Sequence, residues 1–197
     1  MSDIPRSRDS SLLEAASFAA RAHRHQLRKD GQTPYAAHPF RVCLIVRHVF
    51  GIDDPEILTV ALLHDTIEDT TTDYDDLVKQ FGEGVARCVA ALSKDKRLPE
   101  DEREPAYMAT LSAADPAVKV AKLADMFDNL SDSLHLSPEQ RHRTVERSRM
   151  YLAALSNDLP EFVRRPFDLV SQRLADVEGR FDRDSGEPGR VSAGRAL

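Results

Sequence analysis

An all-α fold is the structure that this sequence of 197 residues predicts, and two observations support it. Apolar residues recur every three or four positions along most of the chain, which is the spacing of an amphipathic helix. Alternation of apolar and polar residues, the pattern of a half-buried strand, does not extend over any useful length. A chain of this length should form one domain with a sizeable helical core.

The N-terminal part of the chain contains two expected helices. Ser11 and Glu14 form a capping-box pattern, which should start a first helix that ends before a polar turn over residues 28–34. Pro39 should begin the second helix, because proline suits the first helical position, and Gly51 should end it.

The middle of the chain opens with the most apolar of the expected helices. Asp54 and Pro55 supply its N-cap and first position, and it runs into a polar segment. Thr72 with Asp75 indicates the cap of the next helix, and a further helix covers about residues 84–93.

The C-terminal half is expected to be helical after an exposed loop. Residues 94–105 are charged and contain two prolines, which predicts that loop, and a helix over about residues 106–113 follows. Asp115 and Pro116 then open a helix that is apolar on more than one side, which indicates deep burial. Two more helices are expected, over about residues 138–156 and 160–180. The expected organisation is a disordered N-terminus (1–9), one domain (10–180) and a disordered C-terminal tail (181–197).

Composition limits the class of function. A formal net charge of −6 argues against non-specific binding to nucleic acid or to an anionic membrane. The sequence has no apolar run of about 18 residues, and its first residues lack the apolar core of a signal peptide. Cys43 and Cys88 lie in apolar stretches, as reduced core thiols do. A cytoplasmic protein that acts on a small molecule is expected, and its oligomeric state stays open.

The end of the most apolar helix carries the first chemical signal. His64 continues the buried face of that helix, Asp65 is its neighbour, and Glu68 follows one turn later. An ionised carboxylate in a core is costly unless a cation or strong donors meet it. A divalent metal ion is the simplest partner that makes this arrangement favourable.

Two further residues are expected to point at the same place. His38 lies one turn before an apolar residue of the second helix, and Asp125 lies on the deeply buried helix, where a carboxylate needs a partner. Two imidazoles and two carboxylates suit Mn²⁺, Fe²⁺ or Zn²⁺ and leave room for water and substrate. The expected metal ligands are His38, His64, Asp65 and Asp125.

Three residues are expected beside the metal without binding it. Glu68 and Asp69 lie one turn beyond the His-Asp pair, where they are placed to orient or deprotonate a water. Asn129 follows Asp125 by one turn and should reach the same pocket. Taken singly, these residues have ordinary interpretations, because a buried histidine is usually a core residue and an acidic pair is often a solvated helix end. Their combination favours a metal site.

Several motifs of the chain occur together in one known family. They are His23 through Arg28-Lys29-Asp30-Gly31, Thr33-Pro34-Tyr35 with His38-Pro39, Ala61 to Asp65 with Glu68-Asp69-Thr70, Phe81-Gly82, Leu92-Ser93-Lys94, and Lys122 to Asp125 with Asn129-Leu130. In this order, over roughly residues 12–155, the chain resembles the HD-domain hydrolases of the RelA/SpoT type, and among them the small stand-alone alarmone hydrolases.

The resemblance implies a helical HD fold and a Mn²⁺-dependent hydrolase. The implied substrate is guanosine tetra- or pentaphosphate, (p)ppGpp, which would lose its 3′-pyrophosphate to give GDP or GTP and pyrophosphate. The four expected ligands would hold Mn²⁺, and Glu68 and Asp69 would activate the water with help from Asn129. The candidate substrate-binding residues are Arg28, Lys29 and Lys94. Without the resemblance, the basic pair at 28–29 would be interpreted as an exposed turn.

Two positions depart from the family pattern. Met126 stands where many relatives have arginine, and Asp128 stands where histidine is common. Neither residue is an expected ligand, although an arginine that orients a metal-site carboxylate would be missing. The chain also ends where bifunctional relatives continue into a synthetase domain, so hydrolysis without alarmone synthesis is expected.

Two alternatives stay open. The same metal chemistry could serve another nucleotide, such as NADPH losing its ribose phosphate. The protein could also be a nucleotide sensor without turnover. The pair of Glu68 and Asp69 argues against a sensor, because carboxylates that activate water would only add charge repulsion to a binding site.

Overall fold

The computed structural model describes residues 8–133 and 136–185, and the side chains of residues 11–133 and 136–180. Over these residues the protein is all-α, as predicted, and the only β-type pairing is an isolated bridge between Leu27 and Pro34. The helices are α1 (Arg8–Ala22), α2 (Ala37–Leu44), a π-helical turn (Ile45–Val49), α3 (Pro55–Leu63), α4 (Thr66–Asp69), α5 (Tyr74–Phe81), α6 (Glu83–Leu92), α7 (Glu100–Ser112), α8 (Pro116–Asp132), α9 (Pro138–Leu155) and α10 (Glu161–Ser185).

Both ends of the described chain are helical further out than expected. α1 begins at Arg8 and α10 continues to Ser185, whereas the sequence predicts helices over about 11–25 and 160–180. The remainder of the two ends predicted to be disordered, residues 1–7 and 186–197, lies outside the described residues.

The core is built around α3 and α8. Seven consecutive residues of α3, Ile57 to Leu63, are buried, and ten residues of α8 are buried. α1 and α2 pack on α3, α10 packs along α8, and α3 and α8 pack on each other. Burial of a large apolar side chain contributes about 1.5–3 kcal/mol, so this contact is a major source of stability. Side chains at the C-terminal end of α3 and in the middle of α8 are therefore held in the core.

The central helix is interrupted at the His-Asp pair. Asp54 caps α3 as predicted, because its side chain accepts two backbone N–H groups of the first turn, at 2.9 and 3.1 Å. α3 then ends at Leu63 and α4 begins at Thr66, so His64 and Asp65 lie in a turn between two helices. The Thr66 hydroxyl donates to the Leu63 carbonyl at 2.7 Å and helps to close this turn.

The second expected helix changes its winding halfway. α2 gives way to a π-helical turn, in which the Phe50 N–H donates to the Ile45 carbonyl at 2.9 Å. Such a bond reaches back five residues and inserts one extra residue into the turn. Gly51 follows with a φ of +76°, which glycine adopts without strain, and it ends the segment as predicted.

The prediction of a loop over residues 94–105 is wrong for its second half. α7 begins at Glu100, and three acidic residues in its first turn favour a helix start there. Pro99 occupies the N-cap position, where proline breaks no helical hydrogen bond. Pro105 lies inside the helix, but its missing N–H removes a single intrahelical hydrogen bond.

The cap of α5 is Asp73, and the prediction of Thr72 is wrong by one residue. The Asp73 side chain accepts the Asp76 N–H at 2.9 Å, and the Asp76 side chain accepts the Asp73 N–H at 3.3 Å. Aspartate is a slightly better N-cap than threonine, and this reciprocal pair satisfies two helix-end donors.

No helix among the described residues is both long enough and apolar enough to cross a membrane. Cys43 and Cys88 are free thiols, as expected, and burial raises the pKa of each to about 11.

Candidate active site

The four side chains that the sequence predicts as metal ligands converge. His38 Nε2 lies 3.4 Å from Asp65 Oδ2 and 3.2 Å from Asp125 Oδ1. His64 Nε2 lies 3.0 Å from Asp65 Oδ2 and 3.9 Å from Asp125 Oδ1. Their donor atoms therefore face one small space, to which α2, the 64–65 turn and α8 each contribute.

The polar atoms around this space fit a divalent cation. The His64 Nδ1–H donates to the Ala61 carbonyl at 2.8 Å, which leaves the lone pair on Nε2. This Nε2 is buried and has no hydrogen-bond partner among the described residues. The candidate ligand atoms of His38, His64 and Asp65 all lie within 4.8 Å of one another. A mixed set of imidazole nitrogen and carboxylate oxygen suits divalent transition metals.

Both ligand carboxylates are held in the ionised form. Burial alone would raise the pKa of Asp65, but His64 and His38 outweigh burial and hold this pKa well below its usual range. Burial would also raise the pKa of Asp125, and Lys122 together with the same two histidines lowers it. Metal binding requires deprotonated ligands, so the two carboxylates are ready for it. The same contacts raise the pKa of His38 and His64, so a metal ion would have to displace any proton that these rings carry on Nε2.

Two residues of α8 fix the direction of Asp125. Asn129 Nδ2 donates to Asp125 Oδ1 at 2.5 Å, and Lys122 Nζ donates to Asp125 Oδ2 at 2.8 Å. Asn129 thus reaches the predicted pocket, where it contacts a ligand carboxylate. The sequence patterns assign no role to Lys122, although a lysine three positions before a buried aspartate on one helix is a usable signal, because such pairs meet.

Two contacts to the ligand set come from residues that the sequence does not single out as part of the site. The Tyr35 hydroxyl donates to Asp65 Oδ2 at 2.6 Å. The His38 Nδ1–H donates to Asp128 Oδ2 at 2.7 Å. These partners are separated by 30 and 90 positions in the chain, so no local pattern could pair them.

The two acidic residues of α4 have different surroundings. Glu68 lines a cavity beside the ligand set, and its Oε2 accepts the Lys94 N–H at 2.9 Å. Burial raises the pKa of Glu68, which makes its carboxylate a stronger base. Asp69 is not among the described residues that line this cavity. Its Oδ1 accepts Lys96 Nζ at 2.6 Å, and its Oδ2 lies 3.4 Å from the Tyr35 hydroxyl.

The cavity beside the ligand set has a volume of about 310 Å³. All three predicted substrate-binding residues, Arg28, Lys29 and Lys94, line it, as do Lys122 and Arg147. Pockets for small molecules span about 300–1,000 Å³, so a nucleotide-sized ligand is compatible with this volume. The candidate metal ligands and five basic side chains in one lining suit a small polyanion, although Glu68 and Asp132 also line the cavity.

Lys94 is fixed at the cavity wall by two helices. Its Nζ donates to Glu104 Oε1 at 2.8 Å and to the Tyr151 hydroxyl at 2.6 Å, and that hydroxyl donates to Glu104 Oε2 at 2.9 Å. Glu104 lies on the part of α7 for which the sequence predicts a loop. Because this segment is helical, the Glu104 carboxylate is held in a fixed position beside Lys94.

The chain matches known proteins in sequence and in structure. A family model described as "HD domain" matches residues 15–160. The chain belongs to the HD-domain family. The RelA/SpoT-type resemblance is confirmed by a human relative, guanosine-3′,5′-bis(diphosphate) 3′-pyrophosphohydrolase MESH1. It is 46% identical over 138 residues, which are 68% of this chain and 77% of the human protein.

A bacterial relative and a solved structure agree with this HD-domain assignment. Guanosine-3′,5′-bis(diphosphate) 3′-pyrophosphohydrolase of Aquifex aeolicus is 34% identical over 151 residues, which are 75% of this chain and 21% of that protein. A solved structure described as a metazoan ortholog of SpoT that hydrolyzes ppGpp superposes with a TM-score of 0.73. It is 27% identical and covers 94% of this chain and 99% of its own.

Proposed function

We propose that this protein is a Mn²⁺-dependent hydrolase that removes the 3′-pyrophosphate of (p)ppGpp. The products are GDP or GTP and pyrophosphate. The observation that carries the proposal is the cavity of about 310 Å³, which joins the His-Asp ligand set to a wall of lysine and arginine side chains. The names of the human and Aquifex relatives support the choice of substrate. The reaction belongs in the cytoplasm, where the two free thiols stay reduced.

The basic wall binds the substrate in this proposal. Arg28 and Lys29 contact the nucleotide, because a guanidinium can stack on a base or bind phosphate with two hydrogen bonds. The Arg28 guanidinium carbon lies 5.9 Å from the centre of the Tyr35 ring, and the guanidinium donates to Asp132 at 2.8 Å. Lys94 supplies a point charge for the pyrophosphate and is already held in place by Glu104.

The metal end of the cavity carries the chemistry. His38, His64, Asp65 and Asp125 hold the ion, which, when bound, lowers the pKa of a water and polarises a phosphoryl oxygen. Asn129 and Lys122 keep Asp125 oriented towards the ligand set throughout.

Glu68 accepts the proton of the attacking water in this proposal. It lines the cavity, and its raised pKa suits a general base. Asp69, the second predicted water-activating carboxylate, has a structural role in this proposal, because it binds Lys96 and faces the Tyr35 hydroxyl. Lys96 also donates to the Glu68 carbonyl at 2.8 Å, so this contact holds the end of α4.

The bonds in this reaction balance without a further reactant. The oxygen of water bonds to the phosphorus next to the ribose, and the bond from that phosphorus to the 3′ oxygen breaks. Glu68 takes one proton from the water and returns it, through solvent, to the 3′ oxygen of the nucleotide as that oxygen leaves, so Glu68 is ionised again at the end. The pyrophosphate therefore carries the oxygen of the water.

Product analysis of the purified, Mn²⁺-loaded protein tests the proposal, with ppGpp and NADPH in parallel reactions. We expect GDP and pyrophosphate from ppGpp, loss of activity with EDTA, and recovery with Mn²⁺. Free phosphate from NADPH with ppGpp left intact would assign the site to the other nucleotide. Binding of ppGpp without turnover of either compound would instead show a sensor.

A further inference from the structure

The carboxylate of Asp128 is buried on α8, behind the metal site. We propose that Asp128 is a positioning residue that holds the His38 ring with its Nε2 lone pair directed at the metal. Arg41 acts with it as the counter-charge. This role rests on the metal site of the proposed function and is independent of the substrate.

The contact between Asp128 and His38 determines which ring nitrogen carries the proton. Asp128 Oδ2 lies 2.7 Å from His38 Nδ1, and the Asp128 side chain is only 1% exposed. A carboxylate only accepts hydrogen bonds, so Nδ1 must donate. The opposite nitrogen, Nε2, is the atom that faces Asp65 and Asp125. Carboxylate–histidine pairs of this kind fix the tautomer of a metal ligand and increase its basicity.

Arg41 makes the buried charge of Asp128 tolerable. Its Nε lies 2.6 Å from Asp128 Oδ1, while its own side chain is 44% exposed. A buried carboxylate without a cation is costly, so this ion pair offsets the burial of the carboxylate that contacts His38. Arg28 Nη2 lies 3.5 Å from Asp128 Oδ2 and adds a second, longer contact.

A second carboxylate on α8 provides a natural control. Asp132 accepts hydrogen bonds from the same two arginines, from Arg28 Nη2 at 2.8 Å and from Arg41 Nη1 at 3.3 Å. It has no contact with His38 among those described. Removal of Asp132 therefore disturbs the arginines and leaves the ring of the metal ligand untouched.

Chelator competition for Mn²⁺ in the absence of nucleotide tests this role. We expect Asp128→Ala to weaken Mn²⁺ binding by about 10–100-fold, the usual effect of removing such a partner. Asp128→Asn keeps an oxygen that accepts from Nδ1, so its loss should be smaller, and it serves as the measurement if the alanine variant does not fold. Asp132→Ala should bind Mn²⁺ as tightly as the wild type.

A spectroscopic signature separates positioning from general damage. In the Zn²⁺-loaded wild type, the Nδ1–H proton of His38 should give a slowly exchanging NMR signal, and Asp128→Ala should lose it. Wild-type affinity for Mn²⁺ in a folded Asp128→Ala variant, or in Asp128→Asn where the alanine variant does not fold, would overturn the role of Asp128 alone. A wild-type protein that binds no divalent ion would instead remove the metal site and the proposed function with it.

Discussion

At the scale of single residues, each proposed metal ligand is held by a second polar contact. These contacts fix the direction of the side chains before any ion binds, and such pre-organisation is what makes a metal site tight and specific. The pairs are His38 with Asp128, His64 with the Ala61 carbonyl, Asp65 with Tyr35, and Asp125 with Asn129 and Lys122.

The proposed general base gives the first prediction. Glu68→Gln keeps the size of the side chain and removes its ability to take a proton. We expect kcat for ppGpp to fall by about 10²–10⁴-fold, the usual contribution of a general base. The Mn²⁺ content should not change, because the described hydrogen bond of the Glu68 side chain is to the Lys94 backbone and not to a ligand. Steady-state kinetics and metal analysis of the same sample check both points.

A matched control for this variant lies on α7. Glu102→Gln changes a carboxylate outside the cavity and should leave kcat unchanged. A Glu68→Gln protein with wild-type kcat would show that another group takes the proton.

The site residues that local patterns predict and those that they miss differ in a physical way. His64, Asp65 and Asp125 are predictable because polar residues in apolar helices need a partner, and that signal is local. The structure brings these residues together. Asp128 stands out in the sequence only as a departure from the family, because its role depends on a histidine 90 positions away.

At the scale of elements, α7 carries both a proline inside the helix and a glutamate that contacts the cavity wall. The helix begins at Glu100 and carries Glu104, which binds Lys94 at the cavity wall. Pro105 sits next to that glutamate, inside the helix and exposed. A proline inside a helix is unfavourable, so Pro105 reduces the stability of the element that positions Lys94, a proposed substrate-binding residue.

The position of Pro105 gives a stability prediction. Pro105→Ala restores an N–H that can bond to the Asp101 carbonyl and removes the clash of the ring with that carbonyl. We expect the free energy of unfolding to rise by about 2 kcal/mol, because the helical gain of about 3 kcal/mol exceeds the entropy of about 1 kcal/mol returned to the unfolded chain. Urea denaturation followed by circular dichroism measures the difference.

A second exposed proline serves as the control for this substitution. Pro138 occupies the first position of α9, where proline removes no intrahelical hydrogen bond. Pro138→Ala should therefore leave the stability within about 0.5 kcal/mol of the wild type. A less stable Pro105→Ala protein would mean that the proline is favourable in α7.

Sequence patterns predict the helix starts that capping residues mark, and they miss the interruptions inside helices. Asp54 with Pro55 starts α3 as predicted, and Ser137 with Gln140 caps α9 in a similar way, because capping depends on neighbouring residues only. The π-helical turn after α2 and the break at His64 are not predicted, because the helical spacing of apolar residues continues through both segments. The start of α7 is missed because two prolines indicate a loop.

At the scale of the whole molecule, the fold brings the candidate metal ligands and several basic side chains to one cavity. α2, the 64–65 turn and α8 supply the metal end, while the 28–34 turn, the segment after α6 and α9 supply cations. The all-α class and the order of the helices follow from periodicity. The cavity itself does not, because it depends on how helices far apart in the sequence pack together.

Hydrolysis of ppGpp in water enriched in ¹⁸O tests the central claim most directly. The Mn²⁺-loaded protein is incubated with ppGpp, and both products are analysed by mass spectrometry. The account predicts one ¹⁸O atom in each pyrophosphate and none in GDP, because the water attacks phosphorus and the 3′ oxygen stays on the ribose. Label in GDP, or release of free phosphate in place of pyrophosphate, would contradict it, as would the absence of turnover.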